Sequence, residues 1–439
     1  MPVLASLILA LVAQAAVPES APLAYRVFEA KTAGEAIAVV RASCERCDWG
    51  VEGREAAALR LSFDGKYSQH VLLNRGAGSW EYHVTLGPVT PGTHRVFVHL
   101  DQALSARDPG KVTVAGVSTH VIPAGSDEHL AQAMAPFIYA RPNTVGKFTD
   151  VPVFMWYEIA PAPQGRQFRY SVIFSNEDGG TTTDRLMATW GRTTDIEFVY
   201  GATVDRSGTV VAEEFQGPGH EVPPFRGRHE GRHPLQWVST DNNMVSESGP
   251  TEIRYAPLAV KFDLTNASRE VVMDANPWTH VLASKEMVRE KKLSEDAAAG
   301  SGIIPDPRRF WFVEACTDLS NAAVAFSVRA KDASGETRWF DSDRGRPQFR
   351  IVRTGCFRGA VPLPAGASAP DAVRFKAYTL PPRANAPPPA GAPSVVLTRV
   401  NRVFGLDDGY LPRASLVSWT GSIPLAADGA WHELPVRTP

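Results

Sequence analysis

Long apolar runs are scarce in this sequence. Beyond the first 16 residues no stretch approaches the roughly 18 needed to cross a bilayer as a helix, so no integral membrane segment is expected. Charge of one sign is equally lacking: 45 Lys and Arg stand against 47 Asp and Glu over 439 residues. That balance excludes broad electrostatic capture of nucleic acid or of an anionic membrane surface. Familiar catalytic signatures are missing too. There is no GxSxG, no P-loop and no GxGxxG following a strand, and although His229-Glu230-Gly231-Arg232-His233 has the HExxH spacing, its Gly231 and the prolines around it argue against the helix that would turn both histidines toward one zinc. Cysteine is limited to Cys44, Cys47, Cys316 and Cys356. A zinc site or thioredoxin-like pair at Cys44-Glu45-Arg46-Cys47 would call for a second CxxC or a βαβ pattern, and neither is found. Two disulfides are expected instead, Cys44 with Cys47 and Cys316 with Cys356.

The one long apolar run is at the N-terminus, Val3 to Val12, and it ends in Ala13-Gln14-Ala15, a pattern that a signal peptidase cuts. Residues 1–15 therefore read as a signal peptide, although no Lys or Arg precedes the run, and a secreted or periplasmic location is expected. Gly and Pro number 35 each, which suits short strands joined by turns. The expected fold is mainly β, a multi-domain β-sandwich architecture with a few short helices. Its divisions are an N-terminal sandwich over 22–125, a central acid-rich domain over 126–300 and a C-terminal β region over 301–439 with a proline-rich loop at 381–393.

Alternation of period two marks Leu59–Phe63 before an Asp64-Gly65 turn, then Gln69–Leu73, Trp80–Val84 and His94–Leu100. Later strands are expected at Arg309–Val313, Ala323–Val328, Gln348–Val352, Ser394–Val400 and Ala414–Trp419. Ser126 before Asp127 and Glu128 predicts a helix start that Pro136 ends early. Asn276-Pro277-Trp278 predicts a second helix, with Asn276 as its cap.

The central block carries the candidate chemistry. Asn176, Glu177 and Asp178, followed by two glycines, offer oxygen ligands suited to a hard cation, calcium before zinc, although a polar turn has the same composition. Asp195 and Glu197 share one face of a predicted strand, with Ile196, Phe198 and Tyr200 on the other. Such a pair can divide acid, base or nucleophile roles in glycoside hydrolysis, or bind a metal together. Trp190 and Arg192, next to them in sequence, are candidate substrate-binding residues. His229 is a candidate general base in a His- and Arg-rich loop, where Gly231 and the surrounding prolines argue against a helical pair with His233. Trp237 is a candidate sugar-stacking ring, and Asp241 and Asn242 are candidate substrate contacts beyond it, which with Asn243 are expected to join Asp195 and Glu197 at one end of a sheet.

The stretches Tyr170–Thr181 and Trp190–Glu197 resemble a family of exported bacterial proteins that implies no particular activity. More distantly, the order of elements is similar to vacuolar-protein-sorting-like and necrosis-inducing-like β-sandwiches. Those carry a His-Asp-Trp-Glu metal cluster; here Thr194 and Ile196 replace His and Trp, so only Asp195 and Glu197 match. The expectation is an exported protein acting on extracellular or cell-envelope glycan, a hydrolase using paired carboxylates. The alternative is a non-catalytic carbohydrate-binding or adhesion protein with a structural calcium site.

Overall fold

The computed structural model describes residues 21–177, 179–298, 300–380 and 391–435. The signal-peptide segment, Asp178 and residues 381–390 of the proline-rich loop lie outside the described residues. The chain is mainly β, as expected, with four α-helices among the described residues.

Two small sheets open the chain. Ala24–Ala30, Gly92–Asp101, Ala58–Phe63 and Lys66–Leu72 form one, and Ser79–Val89, Gly34–Cys44 and Val112–Pro123 the other. Ala36, Ala38 and Val40 pack against Leu59, Leu61, Val96 and Val98 between them. The Asp64-Gly65 turn is present: both residues take positive φ, 47° and 77°. That is the left-handed backbone a two-residue hairpin loop needs, and Asp-Gly supplies it with little strain.

A five-stranded sheet follows, in the order Val210–Phe215, Asp195–Val204, Gly165–Phe174, Pro152–Ala162 and Ala259–Lys261. Its inner face buries Phe168, Tyr170, Val172 and Tyr200 against Ile138 and Val238 of a second sheet. Ile173, Ile196 and Trp156, from the outer face, pack with Trp49 and with Leu282 of the Trp278–Arg289 helix. This cluster joins N-terminal residues to the central sheet, and Trp49 Nε1 donates to the buried Glu286 carboxylate. The last two sheets have four strands each, centred on Phe310–Ser320 with Ser394–Gly405 and on Ala322–Lys331 with Ala372–Thr379.

Several local expectations change in three dimensions. Ser126 does cap its helix, accepting from the His129 amide at 3.0 Å, and the helix ends at Ala133. Asn276 instead closes the preceding short helix, its side chain donating to the Val272 carbonyl at 2.9 Å, because that end has the unsatisfied acceptor within reach. Pro347–Phe349 is a 3-10 turn and the strand that follows Ser394–Gly405 starts only at Trp419, so neither Gln348–Val352 nor Ala414–Ser418 is a full strand. Short β-branched runs bound by Pro and Gly carry too little information to separate strand from turn.

Both disulfides pair as expected, Cys44 with Cys47 and Cys316 with Cys356. The second joins facing residues of adjacent strands and closes a loop of 40 residues. Chain entropy assigns a loop of that length about 4 kcal/mol. A Cys316→Ser/Cys356→Ser variant is expected to lose stability of that order in urea unfolding, and an unchanged midpoint would contradict it.

Candidate functional site

The site begins where Gly165–Phe174 ends. Residues 175–177 and 179–182 lie at the end of the five-stranded sheet, the Thr183–Trp190 helix follows, and the chain returns as Asp195–Val204. Met187–Trp190 is thus the end of a helix closed by Gly191 in the left-handed conformation. Along the returning strand Ile173 faces Ile196 and Val172 faces Glu197, but an irregularity follows: Ser171 faces Phe198 while Tyr170 faces Tyr200. Val199 is the extra residue, a β-bulge that resets the alternation. Val199 and Tyr200 therefore share the inner core, and Tyr200 is not on the Phe198 face as strict alternation predicts.

Asp195 is 2% exposed. Its Oδ2 accepts from Asn243 Nδ2 at 3.0 Å, its Oδ1 from the Ile196 amide at 2.8 Å, and Arg192 Nη1 stands 3.5 Å away. Arg192, itself buried, also reaches Glu270 at 3.3 Å and donates to the Thr194 carbonyl. Asn243 donates a second bond to the Asn176 carbonyl at 2.9 Å, which ties the loop after one strand to the start of the next.

Two half-buried carboxyls stand around this buried acid. Glu197 accepts from Gln216 Nε2 at 2.8 Å, and burial followed by the charge of Asp195 pushes its carboxyl up to about 8. Glu177 accepts from the Thr181 amide at 2.9 Å, and the same two causes in the same order raise it to about 7. Loss of water disfavours the charged form, and a neighbouring negative charge disfavours it further. Gly180, at φ 93°, lets the backbone fold under Glu177; a Cβ there would lie 2.6 Å from the Glu177 carboxylate. The exposed ring of His220 completes the group, with Gln216 Nε2 at 3.3 Å and Asn242 Nδ2 at 3.2 Å. His220 has φ 64°, a backbone conformation that β-carbon-bearing residues adopt at a cost.

Asp195, Glu197, Glu177, Arg192 and Asn242 are therefore brought together. Asp241 sits at the rim, its carboxylate paired with Arg141 and its carbonyl accepting from the Gly179 amide at 3.1 Å. The other candidates lie elsewhere. His229 pairs with Glu213 at 2.8 Å and abuts Phe225, which places it with a different carboxylate. Trp190 lies under the Arg353 guanidinium. Trp237 is 4% exposed, stacked on Tyr139 at 4.4 Å, and its indole N–H donates to the Thr251 carbonyl. It belongs to the core and presents no open face to a sugar.

The cation expectation meets a similar obstacle at Asn176. Its side-chain oxygen already accepts from the Asp150 amide at 2.7 Å and from Ser175 Oγ at 2.8 Å, and its nitrogen donates to Thr149. Both lone pairs of that oxygen are in use, so it does not fit a calcium ligand. Among the described residues no group of three His, Cys, Asp or Glu is arranged to hold a metal ion. Because the Asn176 oxygen is occupied, EDTA is expected to leave the melting temperature unchanged within about 1 °C in a calorimetric scan; a clear fall would show a structural cation held by other groups.

Gln216 joins the site although sequence reasoning gave it no role; Asn243 joins it beside Asn242, and of the histidines in the His- and Arg-rich segment it is His220, not His229, that reaches it. Gly217-Pro218-Gly219 before His220 is the one local signal of a special backbone, and it does not indicate which carboxylate the loop will meet.

No family profile matches the chain, and no curated protein matches it. A solved structure titled NLPPya in complex with mannosamine aligns over 32% of this chain and 75% of its own at 10% identity, with a TM-score of 0.24. A lectin from Pleurotus ostreatus in complex with GalNAc covers 94% of this chain and 77% of its own at 9% identity, with a TM-score of 0.10. The first is a weak neighbour of the necrosis-inducing-like type. At those TM-scores neither likeness carries an argument about fold or ligand.

Proposed function

We propose that this chain is an exported glycan hydrolase in which Glu197 is the general acid and Glu177 the carboxylate base, with Asp195 buried behind both as the group that tunes them. The observation that carries the reading is the pair of half-buried carboxyls, raised to about 8 and about 7 around one buried acid. Cleavage of a glycosidic bond needs one carboxyl still protonated and another already ionised at the same pH, and two carboxyls both raised toward neutral pH beside a third acid favour holding such a proton. Asp195 is too buried to meet a substrate, so its part is electrostatic, and Arg192 and Asn243 hold it in place. Export is supported by the two disulfides, which persist in oxidising compartments, and no helix among the described residues is long and apolar enough to cross a membrane.

The test is release of reducing ends from a panel of plant, fungal and bacterial polysaccharides by the wild-type chain and by Glu197→Gln. Turnover by the wild type that the variant lacks supports the assignment. Equal turnover by a folded variant overturns it. The second reading, a glycan-binding protein without catalysis, is favoured by one separate observation, a cleft flanked by Trp80 and Trp278 and distant in sequence from the three acids.

A further inference from the structure

Two depressions adjoin where the N-terminal sheets meet the central region. One has a volume of about 530 Å³ and runs between the Ser79–Val89 strand and residues 255–258. The other, about 380 Å³, lies against the start of the Trp278–Arg289 helix. Each falls in the size range of small-molecule sites. They share Asn74, Arg75 and Trp80, so they form one cleft with Arg75 at its middle.

Arg75 is held there by rings. Its guanidinium lies 4.3 Å from the centre of Trp278 and 5.1 Å from that of Tyr82, and Nη1 donates to the Glu81 carbonyl at 3.1 Å. Among the described residues no carboxylate forms an ion pair with it, and its Nε is buried without a partner. Burial works against its charge. A cation withdrawn from water and left without a counter-charge is costly, and proteins tolerate the arrangement where a ligand supplies the missing anion. The other charged groups along the cleft are already engaged. Glu81 is held by Arg41 at 2.5 Å with His83 nearby, Lys285 by Asp48 at 2.8 Å, and His70 lies between Asp101 and Tyr67. Trp80, 38% exposed, offers an open ring, and Asn74 and Asn276 add amide groups.

We infer that this cleft is a binding site for an acidic saccharide, with a uronate carboxylate meeting Arg75 and the sugar ring lying along Trp80. A sugar acid fits because its C–H face suits an indole ring, its hydroxyls suit the amides, and its carboxylate supplies the charge that Arg75 lacks. The inference stands apart from the hydrolase reading, since none of Glu177, Asp195 or Glu197 lines the cleft.

Tryptophan fluorescence of the full chain is to be titrated with trigalacturonate, with a sulfated disaccharide and with neutral cellotriose. Trigalacturonate is expected to bind at least about tenfold more tightly than either other probe, and Arg75→Gln to lose at least about tenfold of that affinity. Trp80→Ala, which trims an exposed ring and leaves Arg75 in place, is expected to weaken binding as well. No response to trigalacturonate, equal or tighter binding of the neutral or sulfated sugar, or full affinity in a folded Arg75→Gln chain would each overturn the assignment. Affinity here reads Arg75 while reducing-end release reads Glu197, so the two proposals fail separately.

Discussion

Glu197→Gln is expected to lower turnover of a cleaved glycan by about 10²–10⁴-fold, the range that a positioned general acid contributes. Gln keeps the shape and can still hydrogen-bond to Gln216, but it has no proton to give the leaving oxygen. The pH profile makes the test sharper. Activity should climb as pH passes about 7, where Glu177 ionises, and fall beyond about 8, where Glu197 loses its proton. Both values are raised in part by Asp195, so Asp195→Asn should move both limbs of the profile toward acid. A merely structural role for Asp195 would lower the rate and leave the limbs where they were. Glu177→Gln should flatten the acid limb alone.

Arg358→Met is expected to cost about 3–5 kcal/mol of stability at neutral pH, the usual penalty for removing one partner of a buried ion pair. Arg358 is fully buried and holds two carboxylates, Asp274 at 2.5 Å and Glu314 at 2.6 Å, while Nη1 donates to the Glu270 carbonyl at 3.2 Å. Its removal leaves those carboxylates buried with fewer cations. Arg402 and His280 also contact Asp274. Burial by itself would push the Asp274 carboxyl up, but Arg358 and His280 outweigh it and hold the group well below the ordinary carboxylate range. A depressed carboxylate contributes stability that is present above its unfolded value and is lost as pH falls through its folded value. The gap between wild type and variant should therefore be full at pH 7 and narrow progressively below about pH 4. Urea midpoints at pH 7, 5 and 3 measure this, and a gap independent of pH would remove Asp274 from the account.

The same cluster bears on the candidate site. Glu270, whose carbonyl accepts from Arg358, pairs through its carboxylate with Arg192, and Arg192 stands beside Asp195. Arg358 lies on the Gly355–Pro362 strand of the C-terminal region, so a partly unfolded variant should lose activity along with stability. Turnover measured at a temperature where the variant is fully folded separates the two effects.

Much was legible in the residues themselves. Period-two patterning, turn chemistry at Asp64-Gly65 and the Ser126 cap act over two to six residues, and the sequence states them directly. The mainly β class and the two disulfides follow from such local signals and from the small number of cysteines. Asp195 and Glu197 were visible for the same reason, as two acids one residue apart on a strand.

What surrounds them was not visible. Glu177, which the sequence offered as a cation ligand, stands beside Asp195, and the Val199 bulge moved Tyr200 to the inner face, because strand pairing and register are settled between segments. His229 and Trp237 have the right chemistry and the wrong neighbours, Glu213 for one and Tyr139 for the other. Arg75 and Trp278 lie about two hundred positions apart and touch only because the Trp278–Arg289 helix packs beside the N-terminal sheets. The sequence by itself determined which elements form and where the acids lie along them. Only the tertiary structure decided which carboxyls lose their water, which charges face them and which cation is left without a partner, since burial and distance belong to the packed chain.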